Sequence, residues 1–158
     1  MNSLTGKIAI VTGAGSGLGK AIGETLAAEG AQVVLTDINL ENVTNVAAQI
    51  GPQALALEQD VVDEKRWEDV FLQTQDTFGA PHILVNNAGL VIPATIEDCT
   101  LDQFRTTNAV MLEGVFLGCR AAVKAMKSSE QLCSIINPSS MAALQGYSPF
   151  VRSDERRV

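Results

Sequence analysis

Thr12-Gly13-Ala14-Gly15-Ser16-Gly17-Leu18-Gly19 joins the apolar run Ile8-Ala9-Ile10-Val11 to a helical pattern that begins near Lys20. The order is strand, glycine turn, helix. Glycines let the backbone approach an anion closely, and the free N–H groups and positive end of the following helix then hold it. A dinucleotide pyrophosphate is the expected guest. The spacing G-x-G-x-x-G is not met, because from Gly13 its third glycine would fall on Leu18. The spacing present is Thr-Gly-x-x-x-Gly-x-Gly.

Working outward, a second apolar strand, Gln32-Val33-Val34-Leu35-Thr36, ends at Asp37, about 20 residues past the turn. A carboxylate there can accept hydrogen bonds from adenosine ribose hydroxyls and repels a 2′-phosphate. With no Lys or Arg in Asp37-Ile38-Asn39-Leu40, NAD is expected in preference to NADP. The first helix should run from Gly17 to Glu29, with Ala21, Ile22, Leu26 and Ala27 facing the sheet. A second helix, 40–50, stops at Gly51-Pro52; a third strand, 54–58, leads to Asp60-Val61; a third helix spans 64–78. Gly79-Ala80-Pro81 breaks that helix, and Ile83-Leu84-Val85 forms a fourth strand before Asn86-Asn87-Ala88-Gly89. A long helical stretch, 101–127, carries Val110, Leu112, Val115, Phe116, Cys119, Val123 and Met126 on a broad apolar face. A fifth strand, 134–137, precedes Pro138-Ser139-Ser140. Continuous apolar strands separated by helices indicate a parallel α/β sheet with right-handed crossovers.

The 158 residues, 46% hydrophobic and 18% charged, suit one domain with a real core. No apolar run reaches the roughly 18 residues that span a bilayer, and the N-terminus has no signal-peptide pattern. A net charge of −7 argues against a nucleic-acid partner. Cys99, Cys119 and Cys133 lack C-x-x-C spacing and read as reduced thiols of a cytoplasmic protein, without a metal site.

The glycine turn and Asn86-Asn87-Ala88-Gly89 together resemble the short-chain dehydrogenase/reductase family, over about residues 5 to 151. The resemblance implies a Rossmann-type doubly wound parallel sheet, incomplete on its C-terminal side. Residues 1–151 then form the dinucleotide-binding domain and 152–158 a divergent charged tail. It implies an oxidoreductase that moves a hydride between a secondary alcohol or ketone and nicotinamide. Cofactor contacts are implied at Thr12, Gly13, Ser16, Gly17, Leu18, Gly19, Asp37, Asp60, Val61, Asn87, Ala88 and Gly89. Asp60 would meet the adenine ring and Val61 would offer a backbone hydrogen bond. Ser140 matches the catalytic serine that polarises the substrate carbonyl. The long helix matches one that in many members faces another subunit, so a homo-oligomer or a self-associating chain is expected.

Three positions depart from the family. Its Val-Asn-x-x-Gly-Val-Phe run reads Val110-Met111-Leu112-Glu113-Gly114-Val115-Phe116, with methionine where the relay asparagine would stand; Asn108, one turn earlier, reads as a polar helix residue. The Tyr-x-x-x-Lys pair, counted from Ser140, falls on Ser153 and Arg157, and Tyr147 has Val151 four residues on. His82 is no replacement, since it opens the fourth strand at the far end and reads as a surface residue. The abrupt charged tail suggests a truncated or frame-altered end. Two functions therefore stay open: an NAD-dependent oxidoreductase, or an NAD-binding or oligomerising fragment without turnover. A helix-sheet domain that binds nothing is disfavoured by the glycine turn together with Asp37.

Overall fold

The computed structural model describes residues 3–127 and 131–140. Its strands are β1 (Ile8–Thr12), β2 (Gln32–Asp37), β3 (Ala54–Glu58), β4 (Ile83–Val85) and β5 (Ser134–Ile136). All pair in parallel, in the order β3-β2-β1-β4-β5. The helices are α1 (Gly17–Ala28), α2 (Leu40–Ile50), α3 (Glu64–Thr77), α4 (Leu101–Asn108) and α5 (Gly114–Met126). The fold is thus a Rossmann-type α/β sheet. The order in which strands are added reverses between β1 and β4, and the crevice at that switch point is where such sheets bind ligands.

Strand alternation sorts the core into two layers. Ala9, Val11, Val33 and Leu35 face α1 and α2 and meet Ala27, Val43 and Val46. Ile10, Val34, Leu57 and Leu84 face the other way and meet Trp67, Val70, Ala122 and Met126 of α3 and α5. Trp67 is 2% exposed and donates its Nε1–H to the Val61 carbonyl at 2.8 Å, which fixes the segment after β3. Helix starts follow from short polar side chains: Asn39 accepts from the Asn42 N–H, and Asp63 from those of Lys65 and Arg66.

Three sequence expectations need correction. In α1 the buried stripe is Gly19, Gly23 and Ala27, while Ala21 points to solvent. The helix lies so close to β2 that a Cβ on Gly23 would stand 2.6 Å from Leu35 Cδ2, so glycines share the face toward the sheet with the expected Ala27, while the expected Ile22 and Leu26 pack, partly buried, against the same core. The stretch 101–127 is not one regular helix either: Ala109–Glu113 forms a π-helical turn between α4 and α5. Finally, His82 is buried, at 6% exposure. Its N–H and C=O extend the β4 ladder to Ile8 and Ser134, and its Nδ1 accepts the Ile8 N–H at 3.2 Å. A ring that closes the strand ladders from below cannot lie on the surface. At the edge of the described sheet, β5 leaves Ile136 47% exposed.

Candidate functional site

The glycine turn is shaped by its own backbone. Gly13 and Gly17 have φ of 64° and 54°, a region in which other residues are strained. A Cβ on Gly13 would lie 2.8 Å from Ala88 Cα, and one on Gly19 would run into Gly13 O and Asn87 Nδ2. Past Gly17 the space is open, with nothing within 4 Å of where its Cβ would stand. Ser16 caps α1 in an extended conformation, but its side chain makes no cap hydrogen bond to the first helical N–H groups. Those donors and the positive helix end therefore face outward beside the exposed Ser16, Gly17 and Leu18. A helix end of this kind can take an anion.

Thr12 and Asn87 brace the turn from beneath. Thr12 is 1% exposed, and its Oγ1 accepts the N–H groups of Asn87 and Ala88, each at 3.0 Å. Asn87 Nδ2 donates to the carbonyls of Thr12 at 2.9 Å and Gly13 at 3.2 Å. These bonds tie the end of β1 to the loop after β4, across the switch point. Asn86, beside it, donates to Asn137 Oδ1 at 2.8 Å and so links that loop to the segment leaving β5.

Asp37 closes β2 next to the turn. Its Oδ2 accepts the Gly15 N–H and its Oδ1 the Asn39 N–H, each at 2.9 Å. The carboxylate is therefore held in place, and Ile38 beside it is 69% exposed. A cleft of ≈ 200 Å³ opens here, bordered by Gly13, Asp37, Asp60, Val61, Ala88 and Gly89 among others. Asp60 is exposed and its Oδ1 accepts the Val62 N–H at 3.1 Å, while the cap of α3 is Asp63.

The structure thus gathers Gly13, Asp37, Asp60, Val61, Ala88 and Gly89 around one cleft, with the buried Thr12 and Gly19 and the half-buried Asn87 as its support and Ser16, Gly17 and Leu18 at the helix end. Ser140 is exposed in the segment beyond β5. Tyr147, Ser153 and Arg157 lie outside the described residues. Met111 is 51% exposed, with its Cε 3.9 Å from where a Gly89 Cβ would stand, so the residue in the place of the family's asparagine sits beside this loop. Asn108 donates to the Phe104 carbonyl at 3.0 Å, the bond of a polar helix residue. Sequence reasoning did not mark Gln59 or Leu90 on the cleft wall, and read Ile38 only as one of a run without Lys or Arg and Val110 only as part of an apolar helix face. For Gln59 a signal was available: Leu57, Gln59 and Val61 alternate with the exposed Glu58 and Asp60, so strand periodicity turns the glutamine inward.

A nucleotide cofactor fits these residues: an open helix end, a held carboxylate and a cleft lie at neighbouring strand ends. Comparison with known proteins points the same way. The family model described as short chain dehydrogenase matches residues 7–151. The chain is 37% identical over 142 residues to a 3-beta-hydroxysteroid dehydrogenase of Comamonas testosteroni, covering 90% of this chain and 55% of that one. It is 37% identical over 145 residues to an NADP-dependent (R)-specific alcohol dehydrogenase of Lentilactobacillus kefiri, covering 90% and 58%. A 3-ketoacyl-(acyl-carrier-protein) reductase from Brucella melitensis, solved with NADH, superposes with a TM-score of 0.90 at 34% identity, over 94% of this chain and 63% of that one. The chain spans a little over half the length of the two dehydrogenases.

Proposed function

The chain belongs to the short-chain dehydrogenase/reductase family, and from that premise we propose that it binds NAD, in preference to NADP, as the cofactor part of an oxidoreductase for a secondary alcohol or ketone. Asp37 carries the reading. Its carboxylate, fixed by the Gly15 and Asn39 N–H groups, borders the cleft and offers acceptors to ribose hydroxyls, while its charge opposes a 2′-phosphate. The N-terminal N–H groups of α1 would hold the pyrophosphate, and Asp60 and Val61 would flank the adenine. When bound, the nicotinamide supplies hydride acceptance or donation. Ser140 would orient the substrate oxygen. In the cytoplasm the three cysteines, free among the described residues, would stay reduced.

A second reading, nucleotide binding without turnover, is favoured by Met111, Ser153 and Arg157. Ser153 titrates far above neutral pH, Arg157 does not reproduce a compact ammonium, and Met111 cannot hydrogen-bond a relay water as asparagine does. Loss of the acid–base group alone removes a factor of about 10²–10⁴. Both readings include self-association, for which the exposed Phe116 and Val123 supply the surface.

Calorimetric titration with NAD and NADP tests the cofactor reading: NAD should bind at least about tenfold more tightly, and equal affinities or an NADP preference would end it. NADH absorbance with a panel of secondary alcohols separates the two functions. Steady formation that vanishes in Ser140→Ala supports the enzyme; bound NAD without turnover, unchanged by Ser153→Tyr alone, supports the second reading, because such groups act as a unit.

A further inference from the structure

Among the described residues the methionines are Met111 and Met126. Met126 lies in the core at 7% exposure, whereas Met111 is 51% exposed on the π-helical turn Ala109–Glu113. The Cε and Cγ of Met111 stand 3.9 Å and 4.0 Å from where a Gly89 Cβ would be, and the sulfur is bonded to both carbons, so the thioether itself lies against Gly89. Both sides of this contact are held. Gly114, at the end of the π-turn, packs on Val61, and the loop that carries Gly89 is fixed by the Asn87 and Ala88 N–H groups on Thr12 Oγ1. Ala88 and Gly89 border the ≈ 200 Å³ cleft. A soft, apolar sulfur with access to solvent therefore stands beside the rim of the nucleotide site, where two-electron oxidants can reach it.

We propose that Met111 is a reversible oxidation site through which peroxide lowers nucleotide affinity. The sulfur attacks one oxygen of hydrogen peroxide; the O–O bond breaks, an S–O bond forms, and the second oxygen takes the proton of the first and leaves as water. Sulfur loses two electrons and the peroxide gains them. The sulfoxide is polar and chiral where an apolar group lay. If its oxygen turns to water, the side chain is drawn off Gly89; if the contact persists, a strong acceptor sits against backbone that had an apolar neighbour. In both cases the Asn87-Ala88-Gly89 loop loses its apolar support beside the cleft. Met126, closed in the core, is shielded from the same oxidant. The proposal rests on the cofactor reading above and adds a regulation to that site.

The test exposes the folded chain to hydrogen peroxide, removes it, and adds dithiothreitol to return reversibly oxidised cysteines to thiols. Peptide mass spectrometry then locates the added oxygen, and NAD is titrated calorimetrically before and after. Met111 should gain one oxygen well before Met126, the dissociation constant for NAD should rise about fivefold, and methionine sulfoxide reductases should reverse both changes. Met111→Leu, close in volume, should keep its own affinity through the same treatment. Met111→Gln, which places a polar group there without oxidant, should bind NAD more weakly than Met111→Leu. Oxidation at Met111 with unchanged affinity would overturn the proposal. An equal loss in Met111→Leu would also overturn it, since the sensitive group would then lie elsewhere. A parent that binds no NAD before treatment would overturn the cofactor reading, and this proposal with it.

Discussion

A single histidine reports on the base of the sheet. Burial, then the nearby Lys7, hold the His82 pKa below its ordinary 6.5, and a hydrogen bond with the Gln131 side chain opposes them less strongly. The neutral ring is also the useful one, because Nδ1 can accept the Ile8 N–H only when unprotonated. A lowered folded pKa means that the unfolded chain binds the proton more readily. The stability contributed by neutral His82 is therefore complete above about pH 6.5 and is lost as pH falls from there through the lower folded value. No other histidine exists in the chain, and carboxylates titrate mainly below this window. Urea midpoints should fall between pH 7 and pH 5 in the parent and stay nearly flat in His82→Gln. The variant should also be less stable at pH 7, by about 1–3 kcal/mol if the glutamine leaves the Ile8 N–H unpaired. An unchanged slope in the variant would contradict this account.

At the level of elements, the π-helical turn Ala109–Glu113 sets how α5 meets the site. It delivers Gly114 against Val61, where an added Cβ would lie 2.8 Å from Cγ2 and 3.2 Å from Cβ. Gly114→Ala gains helix propensity of about 1 kcal/mol but crowds a residue held by the Trp67 indole, and overpacking costs about 1–3 kcal/mol. The net should be a loss of about 1 kcal/mol, with the Gly114→Ala, Val61→Ala double variant more stable than the sum of the two singles. Additive effects in denaturant unfolding would show that the contact is not shared. This turn was not legible in the sequence, because apolar spacing assumes 3.6 residues per turn and one wider turn leaves most of the pattern intact. The bounds of α2 and β3 were legible, since Gly51-Pro52 punctuates them. The buried face of α1 was legible only in part: Ala27, Ile22 and Leu26 pack on the core as expected, but Gly19 and Gly23 also face the sheet and glycine carries no hydrophobic signal.

Across the whole molecule, the site was more readable than its surroundings. The glycine turn and the place of Asp37 at the end of β2 follow from short-range spacing, whereas the burial of His82 depends on which strands become neighbours. The same dependence governs the outer face of α5. Its inner face is narrow, with Gly114, Gly118 and Ala122 buried at every fourth residue, so the helix lies against the sheet and α3. The opposite side leaves Phe116 61% and Val123 55% exposed, with Leu112 at 65% in the turn before it. An apolar stripe of this kind is suited to a second copy of the chain, in keeping with the self-association proposed above. Two such copies, each carrying −7, repel over distance, so their association should strengthen as salt is added. Phe116→Glu with Val123→Glu places charge on the stripe, and the first of these carboxylates can pair with Arg120, which now stands 5.4 Å from the Phe116 ring centroid. The exposed double variant should therefore keep its dilute-solution stability to within about 0.5 kcal/mol. In sedimentation velocity it should run as a monomer at concentrations where the parent runs as a dimer or larger. A parent that is monomeric at every concentration and salt, or a double variant that associates as the parent does, would show that this face is not the contact.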